Sequence, residues 1–351
     1  MPFYKLLFII MITSPILQSY EEGEVMNGDI SIIYRDYGPK EADPILLVQG
    51  LGGQLINWQD HLIEFLLENG FRPIVFDNRD SGLSSRVNNS LFEEGNRANT
   101  INSTYIKYFL RLPINPPYNL DDMAKDSILI LDKLGIDESH LLGISMGGMI
   151  AQIVAANHPD RIKTFTLISS STSAPSPLNG PTREVRKLLM KRSNNPNSTV
   201  DERIERSKKI FALIGLEGYD LDTQEFYDKS VESIKRAGPD DTGFSRQIMA
   251  ILGSKNRINK VKSISAKTLI IHGKQDPLIK VKNAYKAKKL IKNSDLIILD
   301  EMRHLIAASY THLRAHETVL DLVCRLLLEK KKKNKNNNNN TNCHNKNKHN
   351  K

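Results

Sequence analysis

The stretch His140-Leu141-Leu142-Gly143-Ile144-Ser145-Met146-Gly147-Gly148-Met149-Ile150-Ala151-Gln152 joins an apolar run to a run of helix formers through Gly-x-Ser-x-Gly. That order reads as a strand, a sharp turn carrying a serine, and a helix, which is the layout of a nucleophile elbow. Gly143 and Gly147 suit it because the turn leaves no room for side chains beside the neighbouring strand and helix. Ser145 is then displayed at the positive end of the helix that follows. Five residues alone carry little weight, so the reading depends on what surrounds them.

Outward from the elbow, strands and helices alternate. Pro44–Val48 and Arg72–Phe76 read as buried strands, Asp29–Tyr37 as an edge strand, and Ile162–Ile168, Thr268–His272 and Leu296–Leu299 complete the set. Leu55–Leu67, Leu120–Leu134 and Met146–Asn157 have helical spacing, the first stopped by Asn69-Gly70 and the last by His158-Pro159. The pattern predicts an α/β fold with a mostly parallel central sheet covered by helices on both faces. Ligands of such sheets bind beyond the carboxyl ends of the strands. Two stretches interrupt the alternation. Residues 85–118 are polar, then aromatic at Tyr105, Tyr108 and Phe109, then proline-rich. Residues 173–262 are charged and helical in period, without strand signal, and predict a helical cap inserted before the strand that carries the acid.

A serine hydroxyl needs a neighbouring base to take its proton, and the base needs a carboxylate to hold its tautomer. Asp276 follows the strand Thr268–His272, and His304 follows the strand Leu296–Leu299. An Asp-Pro turn and a surface histidine are the plainer readings of each residue alone. Of the histidines in residues 1–308, His61 lies within a helix and His140 leads into the elbow strand at the wrong end. His158 stops a helix, and His272 sits beside Asp276 in a structural or pocket-lining place. Only His304 follows the last strand, and the order Ser145, Asp276, His304 is that of a hydrolase triad. The negative oxygen of a tetrahedral intermediate also needs preplaced N–H donors. Val48-Gln49-Gly50-Leu51-Gly52-Gly53 lets the Leu51 amide face the site, with the Met146 amide as its partner. A phosphate loop is the alternative there, but Gly-Lys-[Ser/Thr] and Gly-x-Gly-x-x-Gly are both missing.

The chain ends bias the bulk composition. Residues 309–318, S-Y-T-H-L-R-A-H-E-T, and 321–329, D-L-V-C-R-L-L-L-E, back-translate to a transposon-type sequencing adapter and its outer adapter, with an A-rich run after them. Residues 309–351 are therefore read as a sequencing scar and kept out of the fold; a basic tail or an amphipathic last helix are the rival readings. The tail holds 10 of the 49 Lys+Arg and 3 of the 40 Asp+Glu, so the remainder carries +2 rather than +9. No nucleic-acid partner is expected from that charge. Cys324 and Cys343 also lie in the tail, which excludes a disulfide framework or thiol nucleophile in residues 1–308. At the other end, Lys5 precedes an apolar run from Leu6 to Ile12 that is too short to span a bilayer. It suits a signal peptide over residues 1–19, with a membrane-surface anchor as the alternative, and acceptor sequons at Asn88, Asn102 and Asn197 fit a secreted protein. One domain is expected over residues 25–308.

Together these segments resemble the α/β-hydrolase superfamily, and within it the aclacinomycin-methylesterase-like esterases. The matching stretches are Q-G-L-G-G-Q-L-I-N-W (Gln49–Trp58), F-D-N-R-D-S-G-L-S (Phe76–Ser84), Y-N-L-D-D-M-A (Tyr118–Ala124), G-I-S-M-G-G-M-I-A-Q (Gly143–Gln152) and I-H-G-K-Q-D-P-L-I (Ile271–Ile279). The resemblance implies Ser145 as nucleophile, Asp276 as acid, His304 as base, and the Leu51 and Met146 amides as oxyanion donors. It also implies a small-molecule ester substrate, cleavage through an acyl-enzyme, and no cofactor or metal. Asp77, Asn78, Arg79 and Asp80 match a loop expected to brace the oxyanion turn. A proline-releasing aminopeptidase, with Asp220, Asp222 or Glu225 binding an α-amine, is one alternative; a non-catalytic binding protein is another. Relatives carry Gly-Met-Gly-His-Asp where this chain has Glu301-Met302-Arg303-His304-Leu305. If those glycines need positive φ, Glu301 and Arg303 would strain the loop.

Overall fold

Eight strands pair into one sheet: β1 (Tyr20–Asn27), β2 (Ile30–Tyr37), β3 (Asp43–Val48), β4 (Phe71–Phe76), β5 (Ser139–Ile144), β6 (Ile162–Ile168), β7 (Lys267–Gly273) and β8 (Ser294–Leu299). The computed structural model describes residues 19–87, 97–177, 180–192, 198–215, 220–238, 242–305 and 323. Strand order is β1-β2-β4-β3-β5-β6-β7-β8. From β4 to β8 all neighbours are parallel, while β2 is antiparallel to both β1 and β4. The stretch expected at the sheet edge is one strand further in: β1 pairs with β2 along its whole length and forms the edge itself. Its alternation is weak because most of it is exposed, so it carries little hydrophobic signal.

Side-chain alternation divides the core between the two faces of the sheet. Leu46 and Val48 of β3 point into one cluster with α3 (Leu120–Lys133) and α4 (Met146–Asn157). Ile45 and Leu47 point into the other, with Trp58 and α1 (Asp60–Glu68). The capping box of α3 is complete: Asn119 accepts from the Asp121 and Asp122 amides, and Asp122 accepts from the Asn119 amide. His140 is buried at the start of β5, with Nδ1 2.7 Å from Thr164 Oγ1, at the end of the sheet remote from Ser145.

Residues 85–118 contain α2 (Arg97–Leu110), on which Asn102 is exposed. Between β6 and β7 lie α5 (Arg183–Arg192), α6 (Val200–Ile214), α7 (Gln224–Ala237), α8 (Thr242–Leu252) and α9 (Ile258–Lys262), with no strand among the described residues. A further helix, α10 (Lys282–Leu290), connects β7 to β8. The signal-peptide stretch through residue 18, the sequons at Asn88 and Asn197, and the adapter-like tail lie outside the described residues. The exception is Val323, which is buried in the cluster containing Trp58. No helix among the described residues is long and apolar enough to cross a membrane.

Candidate active site

β3 and β5 are neighbours, but the chain leaves β3 for β4 on one side and returns to β5 on the other. A crevice opens at such a switch point, beyond the strand ends. Ser145 stands there as the first residue after β5, with φ 56° and ψ −118°. A non-glycine residue in that region costs about 1–3 kcal/mol and persists only where its surroundings over-determine it. Here the Ser145 amide donates to the Ile168 carbonyl at 2.9 Å, and the Ser170 hydroxyl donates to the Ser145 carbonyl at 2.7 Å. A Cβ on Gly147 would collide with the Val48 carbonyl oxygen, so only glycine lets α4 start this close to β3.

Asp276 lies in the turn after β7. Its Oδ1 accepts from the Leu278 and Ile279 amides, both at 2.8 Å. Its Oδ2 lies 2.7 Å from His304 Nδ1 and 3.3 Å from His272 Nε2. Burial pushes this carboxyl up, but the charge of His304 and the hydrogen bonds of both histidines outweigh it and hold the group well below the usual carboxylate range. An ionised carboxylate only accepts, so Nδ1 of His304 carries the proton. In the neutral ring Nε2 is then the acceptor, and it lies 2.9 Å from Ser145 Oγ. The three side chains singled out from the sequence thus form one hydrogen-bonded line. His272, buried and 2.7 Å from the Ile279 carbonyl, braces the Asp276 turn.

The loop carrying His304 is not strained in the way its residue types predict. Glu301 and Arg303 both have negative φ. Its support comes from α6, whose last carbonyls have no acceptor duty within the helix. The Ile214 carbonyl accepts from the His304 amide at 2.9 Å and the Leu305 amide at 3.1 Å, and Arg303 donates to the Ala212 carbonyl at 2.8 Å.

The turn after β3 is the second wall. The Gly50 amide donates to Gln49 Oε1, Gly52 to Gln247 Oε1, Gly53 to the Gly50 carbonyl, Gln54 to Asn57 Oδ1 and Leu55 to Asp77 Oδ1. Among the described residues the Leu51 amide alone in this run has no acceptor. Met146 opens α4, so its amide has no intrahelical acceptor either. A Cβ placed on Gly50 would be 3.2 Å from Ser145 Cβ, which sets this turn directly against the serine.

The loop after β4 braces that wall. Asp77 Oδ1 takes the Leu55 amide and Oδ2 the Leu83 amide and Arg236 of α7, the last at 2.7 Å. Burial pushes its carboxyl up, while these donors oppose the shift. Asn78 donates to the Gln49 carbonyl, Arg79 pairs with Asp126 of α3, and Asp80 accepts from Nε and Nη2 of Arg246 from α8. Arg236, Arg246 and Gln247 have no place in the sequence reading. Their only local signal is a polar residue on the buried side of a helix, which does not identify a partner more than 150 positions away. Asp222 pairs with Lys208 and Glu225 with Lys229; Asp220 and Glu225 are exposed, as is the Asp222 side chain.

Comparison with known proteins identifies the fold family. The family model described as the alpha/beta hydrolase fold matches residues 43–308. Rhodomycin D methylesterase of Streptomyces peucetius is 23% identical over 86% of this chain and 96% of its own length. Its counterpart in Streptomyces sp. strain C5 is 22% identical over the same shares. Among solved structures, a putative lipase of Acinetobacter baumannii superposes with a TM-score of 0.66 at 20% identity, covering 90% of this chain and 94% of that one. A structure from a study of carboxylesterases of Nitrososphaera gargenis gives 0.60 at 20% identity over 80% and 91%.

Proposed function

From a chain that belongs to the α/β-hydrolase fold family, we propose a serine esterase that cleaves a carboxylic ester of a small molecule. What carries the proposal is the continuous line from Ser145 Oγ through His304 to Asp276, at 2.9 and 2.7 Å, beside a turn whose Leu51 amide has no acceptor among the described residues. The similarity to methylesterases over nearly their whole length supports the ester as the bond broken.

In the first half-reaction Ser145 Oγ forms a bond to the ester carbonyl carbon while its proton passes to His304 Nε2. The carbonyl electron pair moves onto oxygen, where the Leu51 and Met146 amides stabilise it. The intermediate collapses, the C–O bond to the alcohol breaks, and the imidazolium returns its proton to the leaving oxygen. Water then attacks the acyl-enzyme as the same nitrogen takes its proton, and the acid departs with Ser145 restored. Asp276 remains ionised throughout and stabilises the imidazolium, in keeping with its depressed carboxyl. Arg246 and Arg236 fasten α8 and α7 over the strand ends, so the insertion supplies the substrate pocket.

The test is labelling with a fluorophosphonate, followed by peptide mass spectrometry. An adduct on Ser145 that is lost in His304→Ala establishes the assembled nucleophile. A folded protein that takes no label supports a non-catalytic binding role instead. The reading of residues 1–19 as a leader belongs to the same proposal. It predicts that protein from a secreting host starts near Tyr20; an intact Met1 on cell-associated protein counts against it.

A further inference from the structure

We infer that Gln247, on α8 of the insertion, is a positioning residue that sets the oxyanion turn; this rests on the esterase reading of the site. Residues 50–53 form a tight turn closed by the Gly53 amide on the Gly50 carbonyl at 3.1 Å. Its third residue, Gly52, has φ 69°, while Leu51 has negative φ, which is the type II pattern. Type I and type II turns differ in which way the central peptide faces, here the Leu51–Gly52 peptide. Its N–H donates to Gln247 Oε1 at 2.8 Å. The other end of the same amide group donates to the Arg79 carbonyl at 2.9 Å and to Ser81 Oγ at 3.0 Å. Gln247 is fully buried and every one of these bonds is protein–protein. Arg246 beside it grips Asp80 through two nitrogens, at 2.6 and 2.9 Å, so the helix bearing Gln247 is itself anchored to the loop it contacts.

The consequence is geometric. The Gly52 and Leu51 amides belong to adjacent peptides, and one held orientation restricts the other. With Gly52 committed to Gln247, Gly50 to Gln49 and Gly53 to Gly50, the Leu51 N–H is left, among the described residues, as the turn's one amide without an acceptor, in a turn set against Ser145. The inserted helices therefore take part in forming the oxyanion wall as well as covering the pocket. Gln247 acts through Leu51 and does not itself touch the ester.

The experiment compares the full-length protein with Gln247→Leu and Gln247→Glu by amide hydrogen exchange and by p-nitrophenyl acetate kinetics. Leucine removes all three bonds. Glutamate keeps an acceptor for Gly52 and, protonated by burial, a donor for the Arg79 carbonyl. Gln247→Leu should speed exchange across residues 49–53 and lower kcat about 10–100-fold with KM nearly unchanged, the size expected when an oxyanion donor is misplaced. Gln247→Glu should recover most of both. Unchanged exchange in the folded leucine variant, or unchanged kcat beside an active parent, overturns the proposal; so does a glutamate variant as impaired as leucine. If the parent hydrolyses no ester, the esterase reading fails while the exchange result still decides whether Gln247 holds the turn. Should Gln247→Leu not fold, Gln247→Met, which conserves volume, takes its place.

Discussion

The turn bearing Ser145 and the loop bearing His304 meet across 2.9 Å, yet they are held by opposite means. The serine turn is held from within the sheet. Gly147 admits the Val48 carbonyl, Ile168 takes the Ser145 amide, and Ser145 carries the positive φ itself. Among the described residues the histidine loop has no glycine and no positive φ, and relies on its neighbours instead. Ile214 and Ala212 of α6 hold its backbone and Arg303, and Asp276 holds the ring. Close steric contact with the neighbouring strand and the glycine that permits it thus place Ser145, whereas hydrogen bonds from α6 and the Asp276 turn place His304. The second arrangement ties His304 to whatever the insertion does.

Four perturbations separate these two ways of holding a residue. Asp276→Asn strikes the histidine arm and spares the serine turn. It should lower kcat about 10⁴-fold by favouring the wrong tautomer of His304, with little change in KM, as read by ester kinetics. Gly147→Ala strikes the serine turn alone. The backbone carbonyls of Val48 and Gln49 that a Cβ would meet cannot swing aside, so a loss of more than about 3 kcal/mol is expected in denaturant unfolding. Equal stability there would mean that the turn is looser than its sterics imply.

Acid provides a third probe. The Asp276 carboxyl is depressed in the folded protein, so its contribution to stability is fully present above the unfolded value of about 4 and fades as pH falls through the lower folded value. Asp43, where burial is outweighed by His140 and Lys163, behaves alike at the far end of the sheet. Melting temperature should therefore drop steeply below about pH 4, and Asp276→Asn should flatten part of that slope. An unchanged slope would show that the Asp276 contacts are not linked to folding. The smallest effect belongs to Arg303→Ala, which removes one exposed bond to α6 worth about 0.5–1.5 kcal/mol. A few-fold fall in kcat without change at Ser145 would tie the base to the insertion. A neutral outcome would leave the Ile214 carbonyl as the effective clamp.

Local pattern was enough to read the alternation of strands and helices, the elbow at Gly143–Gly147, and the triad order Ser145, Asp276, His304. Each rests on near-neighbour physics: period-2 burial, a turn that excludes side chains, and the placement of functional loops at strand ends. The glycine-rich turn after β3 and the start of α4 were legible for the same reason, as positions beside those ends. Edge strand β1 was not, because an exposed strand repeats too little apolar pattern to be seen.

What only the tertiary structure decided is which distant groups complete the site. Glu301 and Arg303 stand where glycines were expected, and the loop is unstrained because α6 offers carbonyls at the right height. Gln247, Arg246 and Arg236 reach the strand-end loops from helices whose own periodicity marks them only as polar residues facing inward. A hydrogen bond depends on a few tenths of an ångström and on angle. Partners brought together across more than 150 residues leave no spacing rule behind, so the sequence by itself singles out Ser145, Asp276 and His304, and packing alone decides which distant groups hold them.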